Sequence, residues 1–287
     1  MNIIKLFNSF NIEGKSEEEI DIFMSRKEAF KKMGRWGKNM AIGSIPLGLF
    51  AAMPTVAFGR SARAHDVLNY ALTLEHLEYN FYKMGVESGV ASAANSAIIT
   101  EIRDNEKEHV DFLTAYINEI NQTNPGAEPV MEGTYDFTAG GTYADVFTNE
   151  ATFLAVAQAL EDTGVRAYKG QAGNLMNETP GANVGLTAAL QIHSVEARHA
   201  AIIRKLRGQK GWVVPDNVTN GVAAGTGTAA VYGSDSMYPN ENNTTHGGAD
   251  VASLGITGVT TQAIQEAWDE ALTDTKVLEI AGIFIQA

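Results

Sequence analysis

Two short segments, Glu106-Lys107-Glu108-His109 and Glu196-Ala197-Arg198-His199, each place a carboxylate and an imidazole three residues apart. On a helix that spacing puts both side chains on one face, where together they can hold a metal ion. Taken alone the spacing says little. Acidic residues are 34 of 287, so six histidines would give about 0.7 such pairs by chance. More weight comes from position. Residues level with each other on an antiparallel helical hairpin are equidistant from its turn. Glu75 and Glu106 have their midpoint at 90.5, beside Gly89, and Glu161 and Glu196 have theirs at 178.5, inside Glu178-Thr179-Pro180-Gly181. Each hairpin therefore brings one glutamate level with one motif. The halves also repeat: Glu161 follows Glu75 by 86 residues and Glu196 follows Glu106 by 90. Tyr82 and Tyr168 each lie seven residues after their glutamate, and Ile102 and Ile192 each lie four before theirs.

Four carboxylates with two neutral imidazoles can hold two divalent ions with little residual charge, and carboxylates can change between terminal and bridging modes. Oxygen with imidazole suits iron or manganese. The same four glutamates buried without metal would repel one another and raise each other's pKa. Any one of them alone would be read as a solvated helix residue. The matched heights and paired motifs favour an inward-facing set: Glu75, Glu106, His109, Glu161, Glu196 and His199.

Several neighbours need separate weighing. Glu78, one turn beyond Glu75, is either a further ligand or, the favoured reading, a solvated group or one that supports the ligands from outside. Tyr82 and Tyr168 either hydrogen-bond the ligands and serve electron transfer or pack as core aromatics. Glu108 should point elsewhere. His76 should face away from the site, and His65, His193 and His246 have no matched partner, so all four read as structural or surface residues.

These residues need helices to position them. Apolar positions recur at helical spacing from about His65 to Glu87, ended by Gly85 and Gly89, and from about Ser92 to Ile120, ended by Asn121 to Gly126. A third helix is expected from Thr142 or Val146 to Met176, and a fourth from about Asn183 to Arg207, with Gly208 as terminator. Gln122 to about Gly141 is too long for a tight turn and reads as a crossover. A bundle whose second and third helices run parallel needs one such link. From Gly208 to about Val259 the chain is rich in Gly, Asn, Thr and Ala and reads as extended loop. Two terminal helices are expected, at Gln262–Ala271 and Thr273–Ile285, whose Trp268, Leu272, Val277, Leu278, Ile280, Ile283 and Phe284 could cover the bundle. The fold class is all-α. The domain reading is a leader (1–64), a four-helix bundle (65–207) and a loop-rich extension (208–287).

Composition bounds the function. A formal charge of −13 opposes a non-specific nucleic-acid role. The absence of cysteine excludes disulfides, thiolate metal sites and a cysteine nucleophile. The leader carries a basic stretch, Ser25 to Lys32, then Met40 to Phe58 without a charged residue. This resembles an export signal whose basic element is similar to a twin-arginine motif, with Lys27 in place of the second arginine. Cleavage would fall at Ala62-Arg63-Ala64 or at Ala57. The alternatives are an uncleaved membrane anchor, with Pro46, Pro54, Gly43 and Gly48 against a stiff helix, and a buried cytoplasmic segment.

From about Ala64 to Arg207 the sequence resembles the ferritin-like superfamily, including bacterioferritin, rubrerythrin and manganese catalase relatives. Leu68-Asn69, Glu75 and Tyr82 match the first helix of bacterioferritin-type proteins, Glu161 the third-helix glutamate, and the two E-x-x-H motifs the second and fourth helices. With the export-like leader and Ala267-Trp268-Asp269-Glu270-Ala271-Leu272-Thr273, the chain is more similar to exported ferritin-like proteins related to plant desiccation proteins. The resemblance implies a di-iron or di-manganese centre that reacts with dioxygen or peroxide. Three readings stay open: a ferroxidase-like or peroxidase- or catalase-like oxidoreductase, periplasmic or otherwise outside the cytoplasm; a non-catalytic stress-protection or metal-binding protein; and iron storage in a homo-oligomeric shell. A peroxidase with an attached rubredoxin is excluded by the missing cysteines. Membrane contact would come only through an uncleaved leader.

Overall fold

A computed structural model describes residues 64–122, 125–126, 128–175, 183–213, 229–232 and 241–286. Apart from Ala64, the leader and its signal, anchor and cleavage readings lie outside the described residues. Four long helices dominate: α1 (Ala64–Ser88), α2 (Ser96–Asn121), α3 (Glu150–Gln171) and α4 (Asn183–Leu206). α1 packs along α2, α3 along α4, and α1 against α3. A long link, residues 122–149, joins the two hairpins, so the molecule is an all-α four-helix bundle with a crossover between its second and third helices.

The helix ends follow from local chemistry. α1 stops where Gly89 turns to φ +67°, a left-handed conformation that glycine enters without steric cost. Gly208, at φ +74°, does the same after α4, and the Gln209 N–H donates back to the Arg204 carbonyl at 2.9 Å. α2 begins four residues later than its apolar pattern suggests. The Glu150 carboxylate accepts from the Ser92 N–H and hydroxyl and from Asn95 Nδ2, at 2.8 to 2.9 Å, and so holds Ser92–Asn95 as a turn.

α3 also starts late, at Glu150 rather than Thr142 or Val146. Asn149 stands extended (φ −129°, ψ 108°) and caps the helix by accepting from the Ala151 N–H at 3.0 Å. The preceding segment is apolar enough to look helical but spends its side chains in the core as turns, with Phe137, Tyr143 and Val146 buried. α3 itself ends at Gln171, and Ala172–Leu175 continues as a 3₁₀ turn.

One end of the bundle is closed by aromatics. Phe81 stacks on Phe153 with centroids 4.7 Å apart and meets Phe137 edge-on at 5.3 Å, and Phe137 reaches Phe284. Each such buried ring contributes roughly 2 to 3 kcal/mol. Phe284 arrives with the C-terminal segment, where β4 (Ile285–Gln286) pairs antiparallel with β1 (Thr134–Tyr135) of the crossover. The intervening extension holds α5 (Ala229–Tyr232), the hairpin of β2 (Thr245–His246) and β3 (Ala249–Asp250), a 3₁₀ turn (Val251–Leu254), α6 (Thr261–Gln265) and α7 (Asp274–Ala281). Both terminal helices are shorter than expected: five and eight residues, each started by a threonine cap, Thr260 and Thr273. Leu272, Val277, Ile280 and Phe284 are buried, whereas Trp268, Leu278 and Ile283 are 43 to 49 % exposed, against the expectation that they cover the bundle.

A buried polar network fastens the extension to the bundle. Arg166 on α3 donates to the Glu270 carbonyl at 2.7 Å, pairs with Glu241 at 3.1 Å and donates to the Val231 carbonyl. Tyr232 donates to Asp162 at 2.6 Å, and Arg204 pairs with the same carboxylate. Gly170 passes so close to the Leu272 carbonyl that no Cβ fits between them. Among the described residues no helix is long and apolar enough to cross a membrane.

Candidate metal centre

The four long helices each contribute to one spot at mid-bundle: Glu75 from α1, Glu106 and His109 from α2, Glu161 from α3, Glu196 and His199 from α4. The four glutamates are fully buried and the two histidines 1 to 2 % exposed, so the solvated-face reading fails for all six. Heights match as the hairpin midpoints require. His109 Nδ1 lies 2.9 Å from Glu75 Oε2 and 3.1 Å from Glu106 Oε2.

Two overlapping clusters result. Glu75, Glu106, His109 and Glu196 form one, and Glu106, Glu161, Glu196 and His199 the other, with ligand atoms in each within 4.8 Å of one another. Glu106 faces both: its Oε2 is 3.1 Å from His109 Nδ1 and its Oε1 2.8 Å from His199 Nδ1. Glu196 Oε1 lies 3.4 Å from His109 Nδ1, and Glu161 Oε2 3.3 Å from His199 Nδ1. Two ligand atoms at right angles, each about 2.1 Å from a shared ion, stand about 3 Å apart. The observed separations fall around that value.

The tyrosines complete a reciprocal pattern. Tyr82 on α1 donates to Glu161 Oε1 on α3 at 2.5 Å, and Tyr168 on α3 donates to Glu75 Oε1 on α1. Each half thus holds the other's glutamate, and Tyr82 also packs edge-on against Phe81 and Phe153, so for it the hydrogen-bonding and core-packing alternatives hold together.

The ferritin-like domain family model matches residues 63–209, 147 of the 287 residues and all four helices that meet here. The chain belongs to this family. No curated protein and no solved structure matches it.

The donor set of the ferritin-like domain, buried carboxylates and imidazoles, fits metal binding. Neither oxygen of Glu196 makes a hydrogen bond, nor does Glu161 Oε2. Orphaned carboxylate oxygens at the centre of a bundle are costly unless a cation meets them. Protons take part of that place in the metal-free protein. Burial, offset in part by His109, pushes Glu75 up to about 7. Burial and the surrounding carboxylates push Glu196 well above the ordinary range. Burial would lower both imidazoles, yet Glu75 and Glu106 drive His109 up to about 10, and Glu161 and Glu106 drive His199 up to about 9. Burial would raise Glu106 too, but the two imidazoles hold it well below the carboxylate range.

The remaining sequence candidates divide. Glu78 is buried among the carboxylates, 3 % exposed, which overturns its solvated reading; it hydrogen-bonds none of the ligands. Glu108 is half-buried and in neither cluster. His76 faces the crossover, with Nε2 3.3 Å from the Val130 carbonyl, and His246 stacks on Trp268 at 4.3 Å. His65 is buried beside Gly126. Two features escaped sequence reasoning. Gly164, one turn after Glu161, keeps open the space between Glu78 and Glu196. Asp162, Arg166 and Arg204 belong to the buried network that fastens the extension; the four-residue spacing of Asp162 and Arg166 was its sequence trace.

Proposed function

We propose that this ferritin-like protein holds two metal ions, iron or alternatively manganese, with Glu75, Glu106, His109, Glu161, Glu196 and His199 as ligands, and reacts with dioxygen or peroxide. The observation that carries the reading is the pair of overlapping buried clusters sharing Glu106 and Glu196. Each cluster offers one imidazole and three carboxylates, and four carboxylates match the charge of two dications. Bound iron or manganese would supply the one-electron chemistry and the point of attack on dioxygen or peroxide. The chain's own residues do the rest. Tyr82 and Tyr168 fix the orientation of Glu161 and Glu75 through their hydroxyl protons, leaving the second oxygen of each for metal. The aromatic cluster around Phe81 keeps bulk water from that end of the bundle. Export, with function outside the cytoplasm, rests on the leader's charge pattern and is part of the same proposal.

The test is to purify the full chain aerobically, measure iron and manganese per chain, then follow Fe(II) oxidation and peroxide loss. Two ions per chain with turnover is the expected result. Two ions without turnover would favour the stress-protection alternative, and no bound metal would remove both the catalytic and the storage readings. Size measurement on the same sample distinguishes a closed shell from a smaller species.

A further inference from the structure

Glu78 is the one carboxylate in the centre that the six-ligand account leaves unused. It sits one turn after Glu75 on α1, is 3 % exposed, and its Oε2 makes no hydrogen bond. Leaving a buried carboxylate oxygen without a partner costs stability, so a cation or a proton has to meet it. Its strongest electrostatic neighbours after burial itself are Glu106, Glu161 and Glu75, which places it at the centre rather than on a neighbouring helix face.

The internal repeat shows how the chain makes room for it. The offset of 86 that relates Glu75 to Glu161 and Tyr82 to Tyr168 also relates Glu78 to Gly164. One half therefore supplies a carboxylate where the other supplies no side chain at all. A Cβ on Gly164 would lie 2.9 Å from Glu196 Oε2 and 3.2 Å from Glu78 Oε1, so Glu196 would have to shift and Glu78 to give way. Glu78 and Glu196 thus converge on the space above the Gly164 backbone. Glu196 is also the ligand both of whose oxygens lack hydrogen bonds.

We infer that Glu78 is a seventh ligand, a fifth carboxylate that joins Glu196 on the ion held by Glu106, Glu161 and His199, with Gly164 providing the space for it. The inference rests on the two-metal reading above. As the side chains stand Glu78 is in neither cluster, so metal binding must draw its carboxylate inward by rotation of its side-chain torsions. The result is an asymmetric centre in an otherwise twofold arrangement. With five carboxylates the ligand charge matches one divalent and one trivalent ion, whereas four match two divalent ions.

Anaerobic titration of the metal-free full chain with Mn(II), reading free Mn(II) by its EPR signal, tests this without any activity assay. The wild type should bind two ions. Glu78→Gln should weaken one of the two by at least tenfold and leave the other within about threefold, and Gly164→Ala, which intrudes on the same space, should weaken the same ion. Because a buried carboxylate must hold a proton in the metal-free protein and an amide need not, the metal-free melting temperature of Glu78→Gln should stay level or rise, and its gain on adding Mn(II) should shrink. Both affinities unchanged in Glu78→Gln, while Glu106→Ala loses both ions, would overturn the role of Glu78 and leave the two-metal reading standing. A wild type that takes up no Mn(II) or Fe(II) would remove the two together. A Glu78→Gln protein that unfolds without metal would contradict the inference, since it would mean the carboxylate stabilises the bare fold.

Discussion

At the scale of single residues, the centre is a set of charges that the metal-free protein tolerates only by holding protons. His109 and His199 bind protons up to about pH 10 and 9, above the ordinary imidazole value of 6.5. A raised imidazole stabilises the fold below pH 6.5, and that contribution disappears as pH rises through 9 to 10. Glu75, raised from 4.5 to about 7, binds more protons folded than unfolded between those values, so it too costs stability as pH rises. The metal-free protein should therefore melt at progressively lower temperature from about pH 5 to pH 10, while its gain on adding metal should grow. Calorimetry with and without Mn(II) across that range checks both signs. At pH 7 metal uptake should also release at least the two imidazole protons, seen as a buffer-dependent heat in titration calorimetry. Tyr82→Phe, which frees Glu161 from its hydroxyl donor, should weaken metal binding about tenfold with the helices intact, whereas a packing role alone would leave affinity unchanged.

At the scale of elements, the four ligand-bearing helices were readable in advance because their residues sit at fixed distances from two turns. Gly89 and Gly208 terminate helices where glycine is needed, and the Glu75–Glu106 and Glu161–Glu196 pairs meet. The start of α3 was not readable. Tyr143, Val146 and Phe147 have helical spacing, and only the cap at Asn149 shows that the chain there is turned. The same holds for β1 with β4, a pairing of Thr134 with Gln286 that no local pattern announces. The environment of Glu78 depends on Gly164 across the bundle, and a missing side chain leaves no chemical mark in a sequence. Removing one partner of the buried Asp162–Arg204 pair tests the network between α3 and α4. Asp162→Ala should cost about 3 to 5 kcal/mol in chemical denaturation, because it removes the carboxylate that Arg204 pairs with and that the Tyr232 hydroxyl donates to.

At the scale of the molecule, the bundle and extension are one folding problem. Arg166 spends its donors on Val231, Glu241 and Glu270, all beyond residue 208, and Leu272, Val277 and Phe284 belong to the same core as Phe81 and Phe153. Ending the chain after Gly208 should take from Arg166 its contacts with Val231, Glu241 and Glu270, leave Asp162 with Arg204 but without Tyr232, and lower the melting temperature by well over 10 °C, or prevent soluble expression. A truncated bundle as stable as the full chain would show that the extension contributes nothing to the fold.

Six buried side chains from four helices are proposed to hold two metal ions. The most direct measurement is the metal content of the purified full chain beside that of Glu106→Ala, since Glu106 faces both clusters. The wild-type chain should carry two ions of iron or manganese and the variant neither, with helicity by circular dichroism unchanged. A wild type without metal, or a variant that retains both ions, would contradict it.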